Sequence, residues 1–248
     1  MVYMNDKEKI LQERMSECCV TKDDILDCIR KTTNKKMSVL VYISRFEGLG
    51  NKDSDFDIYA ICREDICHPI EMLQINEVCF DIEYWPLEKL EKLVDNIDSI
   101  TDRDQLKLIK RIHESVLLTE EVELTTLVRK IDAIDIDNKI YKYFKRLVNA
   151  EYDDALKMDN NAEYISCLSC CQRAGLNLIA AINAKNGHSN LNHKWTNKIF
   201  IDNSGYDKEL YEEYLNTYIY ISINKENIRS IIERMLDFIS NYRNFSFF

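Results

Sequence analysis

After about Asp102 the chain has no proline and hardly a stretch that alternates in the manner of a strand. The segments LKLIKRIHESVLL, LTTLVRKIDAI, KIYKYFKRLVNAEYDDALKM, AEYISCLSCCQRAGLNLIAAINAK and ENIRSIIERMLDFISNYR instead place apolar residues three and four positions apart. That spacing gathers them on one face of a helix, and several such helices shield their faces by packing together. An α-helical bundle is predicted over residues 101–248, with breaks near Asp159–Asn161, at Asn186 to Asn192 and at Asp202 to Asp207.

The first hundred residues read differently. A helical pattern covers Ile10 to Met15, and Thr21 with Asp24 forms a capping-box signature for a helix through about Arg30. Met37 to Ile43 (MSVLVYI) is a β-branched, apolar run that predicts a buried strand. Phe56 to Cys62 and Val78 to Trp85 alternate as two further strands, and Pro86 opens an amphipathic helix carrying Leu87, Leu90, Leu93, Val94 and Ile97. The expected architecture is α+β: a small mixed-sheet domain over residues 1–100, then the bundle. At 248 residues and 46% apolar composition, the chain can supply a core for each.

Between the first two strands lies SRFEGLGNKDSDFDI, residues 44–58, which holds two of the chain's five glycines. Asp55 and Asp57 stand two residues apart at the start of a strand, so their carboxylates share a face. Two like charges held that closely repel unless a cation lies between them, and magnesium, a hard ion with oxygen ligands, suits the pair. The glycines suit a turn where backbone N–H groups approach an anion, and Ser44 adds a hydroxyl. Asp81 and Glu83 repeat the i, i+2 design on the third strand. Either can complete a carboxylate cluster that binds metal and accepts a proton, with Asp81 the first choice.

These residues resemble the nucleotidyltransferase superfamily of the DNA polymerase β type. Ser44, Gly48, Ser54, Asp55 and Asp57 match the family motif in type and spacing, and Asp81 fits its later acid. The resemblance implies that Ser44 and the backbone near it hold the terminal phosphates of a nucleotide, ATP or another NTP. It implies that Asp55 and Asp57 bind magnesium or manganese, with Asp81 or Glu83 as third carboxylate. Asp81 would then help to activate an acceptor hydroxyl on a small molecule, peptide or protein. The motif's leading glycine is replaced by Ile43, a β-branched residue poorly suited to close ligand approach. Arg45 is the residue expected to compensate by touching phosphate. The helical half resembles the bundles that follow the catalytic domain in minimal and antibiotic-modifying members, where the Lys194–Trp195 pair makes Lys194 a phosphate or acceptor contact. The site is expected in a cleft between the two halves. The expected activity is transfer of a nucleoside monophosphate with release of pyrophosphate. The alternative is a nucleotide-binding, antitoxin-like interaction protein of the same fold without turnover.

A formal net charge of −10 disfavours long nucleic acids as partners, because these need a broad basic surface. No run reaches the roughly 18 apolar residues of a membrane helix, and the first residues lack a signal peptide's apolar block, so a cytosolic location and no membrane partner are expected. Nine cysteines without a disulfide-like spacing are expected to be reduced and mostly buried; the Cys167, Cys170, His188, His193 pattern reads as helix packing ahead of a zinc site. A homodimer is compatible with the sequence.

Overall fold

The computed structural model describes residues 2–64, 70–203 and 208–244, with side chains from residue 6 onward. It divides into two compact units, Met1–Ile134 and Asp135–Phe248.

The first unit opens with α1 (Val2–Glu17) and α2 (Lys22–Thr32). The capping box is present: Thr21 Oγ1 accepts from the Asp24 N–H while Asp24 accepts from the Thr21 N–H at 2.8 Å. Strands β1 (Ser38–Tyr42), β2 (Phe56–Cys62), β3 (Ile70–Ile75) and β4 (Val78–Pro86) follow, then α3 (Leu87–Asp95), α4 (Arg103–Glu114), β5 (Val116–Thr119) and α5 (Thr125–Asp132). Among the described residues five strands make one mixed sheet in the order β3-β4-β2-β1-β5. Strand β2 runs parallel to β4, and the other neighbouring pairs are antiparallel.

Three of these strands lie where the alternation predicts them. The other two were not foreseen. Strand β3 carries Ile70, Met72, Leu73 and Ile75 without strict alternation, so its sequence shows no clear strand period, and its positions alternate between exposed and half-buried with Ile70 and Met72 in solvent. Its turn into β4 uses Asn76 and Glu77, both at positive φ, without the glycine that usually marks such a hairpin. The spacing in LKLIKRIHESVLL predicts a helix through Leu118. Ser115 ends α4, and the short apolar run pairs with the open edge of β1. Short apolar runs carry no decisive period, and here the available edge determines the outcome. The first unit accordingly extends to Ile134, past the residue 100 at which the sequence pattern changes.

One face of the sheet is apolar. Val39, Val41, Ile43, Phe56, Ile58, Ala60, Phe80, Ile82 and Tyr84 pack there against Leu11, Met15, Ile25 and Ile29 of the first two helices. Phe56 and Phe80 are register partners whose rings stack with centroids 4.8 Å apart. Burying each such side chain contributes about 1.5–3 kcal/mol, so the apolar face holds β2 and β4 in register.

The second unit contains α6 (Ile136–Asn160), α7 (Tyr164–Lys185), α8 (Thr196–Asp202), α9 (Lys208–Tyr214), a π-helical turn at Leu215–Ile219, and α10 (Ile228–Tyr242). Helices α6 and α7 pack along much of their length, and α10 lies against α7. Helix α7 is long and apolar enough to span a bilayer by composition, and it buries most of its surface in this unit. Its Cys167, Cys170 and Cys171 are buried, reduced thiols, as are Cys18 and Cys62 in the first unit. The Cys167 thiol donates to the Ala155 carbonyl at 3.2 Å. The expected breaks after Asn160 and after Lys185 are found; the one at Asp202 to Asp207 lies partly outside the described residues.

Candidate active site

The other face of the sheet carries the acids. Residues directly opposed on neighbouring strands share a face, and the register lines up Tyr42 of β1, Asp57 of β2 and Asp81 of β4 in one row. The next row holds Leu40, Tyr59 and Glu83. Asp81 is therefore the strand acid aligned with Asp57, while Glu83 lies one row further along and accepts from the Trp85 indole N–H at 3.0 Å.

Helix α4 brings two cations to this face. The Arg111 guanidinium donates to Asp57 Oδ1 at 2.5 Å and to the Tyr59 hydroxyl at 3.4 Å, and it lies 5.2 Å from the centre of the Tyr42 ring. Both members of the ion pair are largely buried, with side chains 14% and 16% exposed. Lys107, one turn earlier, feels the charges of Asp57 and Glu83, and burial lowers its pKa. Reading these residues as part of a helical bundle hid them from the site. Their signal was an i, i+4 pair of cations in LKLIKRIHE, a pattern that usually marks a solvated face.

Burial pushes the Asp57 carboxyl up to about 6, with Arg111 and Lys107 pulling the other way and Asp81 and Glu83 adding to the rise. An acid whose folded pKa exceeds its unfolded value of about 3.9 holds its proton more tightly when folded. Its contribution to stability is present below that value and is lost as pH rises through the folded pKa. Relative to Asp57→Asn, the unaltered chain should lose roughly 2–3 kcal/mol of stability between about pH 4 and pH 7. Urea titrations of both proteins across that range check this, and a flat difference would contradict it.

The loop before β2 is tightly built. A 3₁₀ turn at Ser44–Glu47 ends at Gly48, whose φ of 69° is left-handed, and Leu49 N–H donates to the Ser44 carbonyl at 3.0 Å. Gly50 has φ 86°, and a Cβ there would meet Ser54 Oγ at 2.9 Å and Ser44 Cβ at 3.1 Å. Gly50, a glycine the motif match passes over, therefore lets the two motif serines converge. Gly50→Ala should cost about 1–3 kcal/mol through its backbone angle, measurable as a lower denaturation midpoint. Ser54 Oγ accepts from the Asn51 N–H at 2.9 Å and so shapes the turn, and Ser54 O accepts from the buried Arg14 at 3.0 Å.

Ile43 has ordinary extended angles, φ −136° and ψ 142°, and is 2% exposed within the α1/α2 core. Its side chain thus occupies the apolar face, opposite the acids. The remaining expected residues are placed as follows. Arg45 pairs with Glu17 of α1 at 2.8 Å, so its charge is directed to that helix. Asp55, exposed and just ahead of β2, opens onto a cavity of about 650 Å³ with Lys52, Asp53, Arg14 and Cys79. Lys194 belongs to the second unit, where its ammonium lies 5.1 Å from the centre of the Trp195 ring.

No protein-family model matches the sequence, and a search of curated proteins returned no match. Among solved structures, the chain is similar to a nucleotidyltransferase-like protein from Exiguobacterium sibiricum 255-15, with a TM-score of 0.51 and 12% identity. The likeness covers 84% of this chain and 69% of that one. The fold is nucleotidyltransferase-like.

A nucleotidyltransferase-like fold raises the question of a divalent ion. Asp55, Asp57 and Asp81 offer oxygen donors alone, the chemistry that magnesium takes. Among the described residues, however, no three His, Cys, Asp or Glu side chains are gathered closely enough to hold an ion. One oxygen of Asp57 already accepts from Arg111. As arranged, these residues do not fit a bound metal.

Proposed function

We propose that this chain is a nucleotidyltransferase that moves a nucleoside monophosphate, AMP from ATP in the first instance, onto an acceptor hydroxyl and releases pyrophosphate. The observation that carries the reading is the register of β2 and β4, which aligns Asp57 with Asp81 just beyond the Ser44 turn. In the transfer, the acceptor oxygen bonds to the α-phosphorus and the bond to the oxygen bridging to the β-phosphorus breaks. Pyrophosphate departs with that electron pair, and the acceptor's proton passes to a carboxylate. Asp57 accepts from Arg111 and Glu83 from Trp85, so we assign the proton to Asp81. Lys107 supplies positive charge beside phosphate oxygens, where positioning and charge neutralisation do most of the work. Magnesium, with manganese as its substitute, is the cofactor this reading proposes, and Arg111 would have to leave Asp57 for that carboxylate to hold it.

Incubation with labelled NTPs and candidate acceptors, read by mass shift and pyrophosphate release, tests the activity. The double variant Asp55→Asn, Asp57→Asn should transfer nothing; undiminished transfer by that variant would sink the assignment. A second reading, nucleotide binding without turnover, is favoured by the arginine on Asp57. Saturable binding of ATP with no pyrophosphate released under any acceptor would select it.

A further inference from the structure

Two large apolar side chains stand in solvent beside the carboxylate assigned the acceptor's proton. Met72 of β3 is 79% exposed and Ile70 is 66% exposed, and the antiparallel register sets Met72 opposite Asp81 and Ile70 opposite Glu83. Directly opposed residues share a face. The other parity of β3 is engaged elsewhere: Leu73 and Ile75 pack on the apolar core, and Glu71 accepts from the Thr32 and Tyr84 hydroxyls at 2.7 and 2.9 Å. Trp85 extends the strip, since it stands two residues beyond Glu83 on β4, half-buried, with its indole N–H on the Glu83 carboxylate.

One row across the sheet therefore reads Met72, Asp81, Asp57, Tyr42, and Ser44 follows two residues after Tyr42. Met72 and the Ser44 turn thus lie on opposite sides of Asp81. A hydroxyl that reaches Asp81 from the side away from that turn brings its carrier over Met72 and Ile70. A polyol there would set its remaining hydroxyls against apolar side chains without partners. An aryl or alkyl body covers them instead, and the Met72 thioether gains from contact with a ring edge. Glu83, about 7 Å along the strand from Asp81, attracts an ammonium at the far end of that body and repels an anion.

We propose that Met72 and Ile70 form the floor of the acceptor subsite, and that the acceptor is an apolar hydroxy-amine with its hydroxyl at Asp81 and its ammonium at Glu83. The role of acceptor rests on the nucleotidyl-transfer reading; the binding of such a molecule to this strip does not. In transfer, the hydroxyl oxygen bonds to the α-phosphorus as the bond to the bridging oxygen breaks. Pyrophosphate keeps that electron pair, and the proton goes to Asp81.

The test titrates tyramine, its anionic counterpart 4-hydroxyphenylacetate, and glucosamine as a polyol into the full chain carrying ¹³C-methyl methionine. The Met72 methyl signal, assigned by its loss in Met72→Leu, should shift saturably with tyramine and respond about tenfold more weakly to the other two. With ATP and Mg²⁺, pyrophosphate release should favour tyramine over glucosamine by about tenfold or more, and Ile70→Thr with Met72→Thr should erase that preference. Threonine suits a strand and both positions are exposed, so the double variant should fold. A Met72 methyl that ignores tyramine, or answers either other probe equally, overturns the proposal. Saturable tyramine binding with no pyrophosphate released from any NTP upholds the subsite and removes the nucleotidyl-transfer reading. Transfer to glucosamine in preference to tyramine upholds that reading and overturns the subsite.

Discussion

Asp81→Asn is expected to slow nucleotidyl transfer by about 10²–10⁴-fold, the range over which a positioned acid–base group acts. The substitution preserves shape. Asp81 lies half-buried on the acid-bearing face, and its strand is held by Phe80 and Ile82 on the other side, so the register should survive. Affinity for the α,β-methylene analogue of ATP should therefore change little while the rate collapses. That combination marks an interaction made in the transition state rather than in ground-state binding. Initial rates of pyrophosphate release, set beside analogue titrations, give both quantities. A rate within about threefold of the unaltered chain would remove Asp81 from the chemistry.

The largest loss of stability is expected in the second unit, from Gly175→Ala on α7. A Cβ at Gly175 would lie 2.2 Å from Tyr218 Cε1 and 2.4 Å from Cζ. The Tyr218 ring has little room to retreat. It stacks on Tyr214 at 5.3 Å, meets Phe238 edge-on at 5.4 Å, and sits in the π-helical turn closed by Tyr220 N–H donating to the Leu215 carbonyl at 2.8 Å. Alanine gains up to about 1 kcal/mol of helix propensity over glycine. Overpacking costs about 1–3 kcal/mol and sometimes more, and so tight a clash with a confined ring belongs at the upper end. A net loss of about 2 kcal/mol or more is expected, seen as a melting temperature lower by several degrees. Pairing Gly175→Ala with Tyr218→Leu, which removes the ring, should recover part of the loss beyond additivity. An unshifted melt would show that the ring moves freely.

Much of this was legible in the sequence. The α2 capping box, the strand at Phe56–Cys62 and the helix opened by Pro86 follow from local chemistry, and the structure contains all three. The acids could be paired from their i, i+2 spacing. That Asp81 rather than Glu83 aligns with Asp57 required the partner strand's register, which no local pattern carries. Strand β3 was hidden because its apolar residues break the strand alternation and its hairpin lacks glycine, and β5 because its run is short and its partner β1 lies far away in sequence. Arg111 was hidden for a similar reason: only the packing of α4 on the sheet shows which carboxylate it meets. Ile43 shows the opposite limit. Its residue type suggested obstruction, and the pleat resolves it by turning the side chain into the core.

The pleat of β4 has a consequence for how this protein can vary. Phe80, Ile82 and Tyr84 face the core while Asp81 and Glu83 lie on the face that carries Asp57, so both sets depend on one parity. Sliding β4 by a single residue would drive two carboxylates into an apolar interior and expel three large side chains, at several kcal/mol for each charge. A mispaired molecule would therefore be too unstable to persist, and molecules that do persist carry Asp81 beside Asp57. Folding in this way proofreads the site before any substrate arrives. It also restricts the Asn76–Glu77 hairpin to changes in length that preserve the parity of β4.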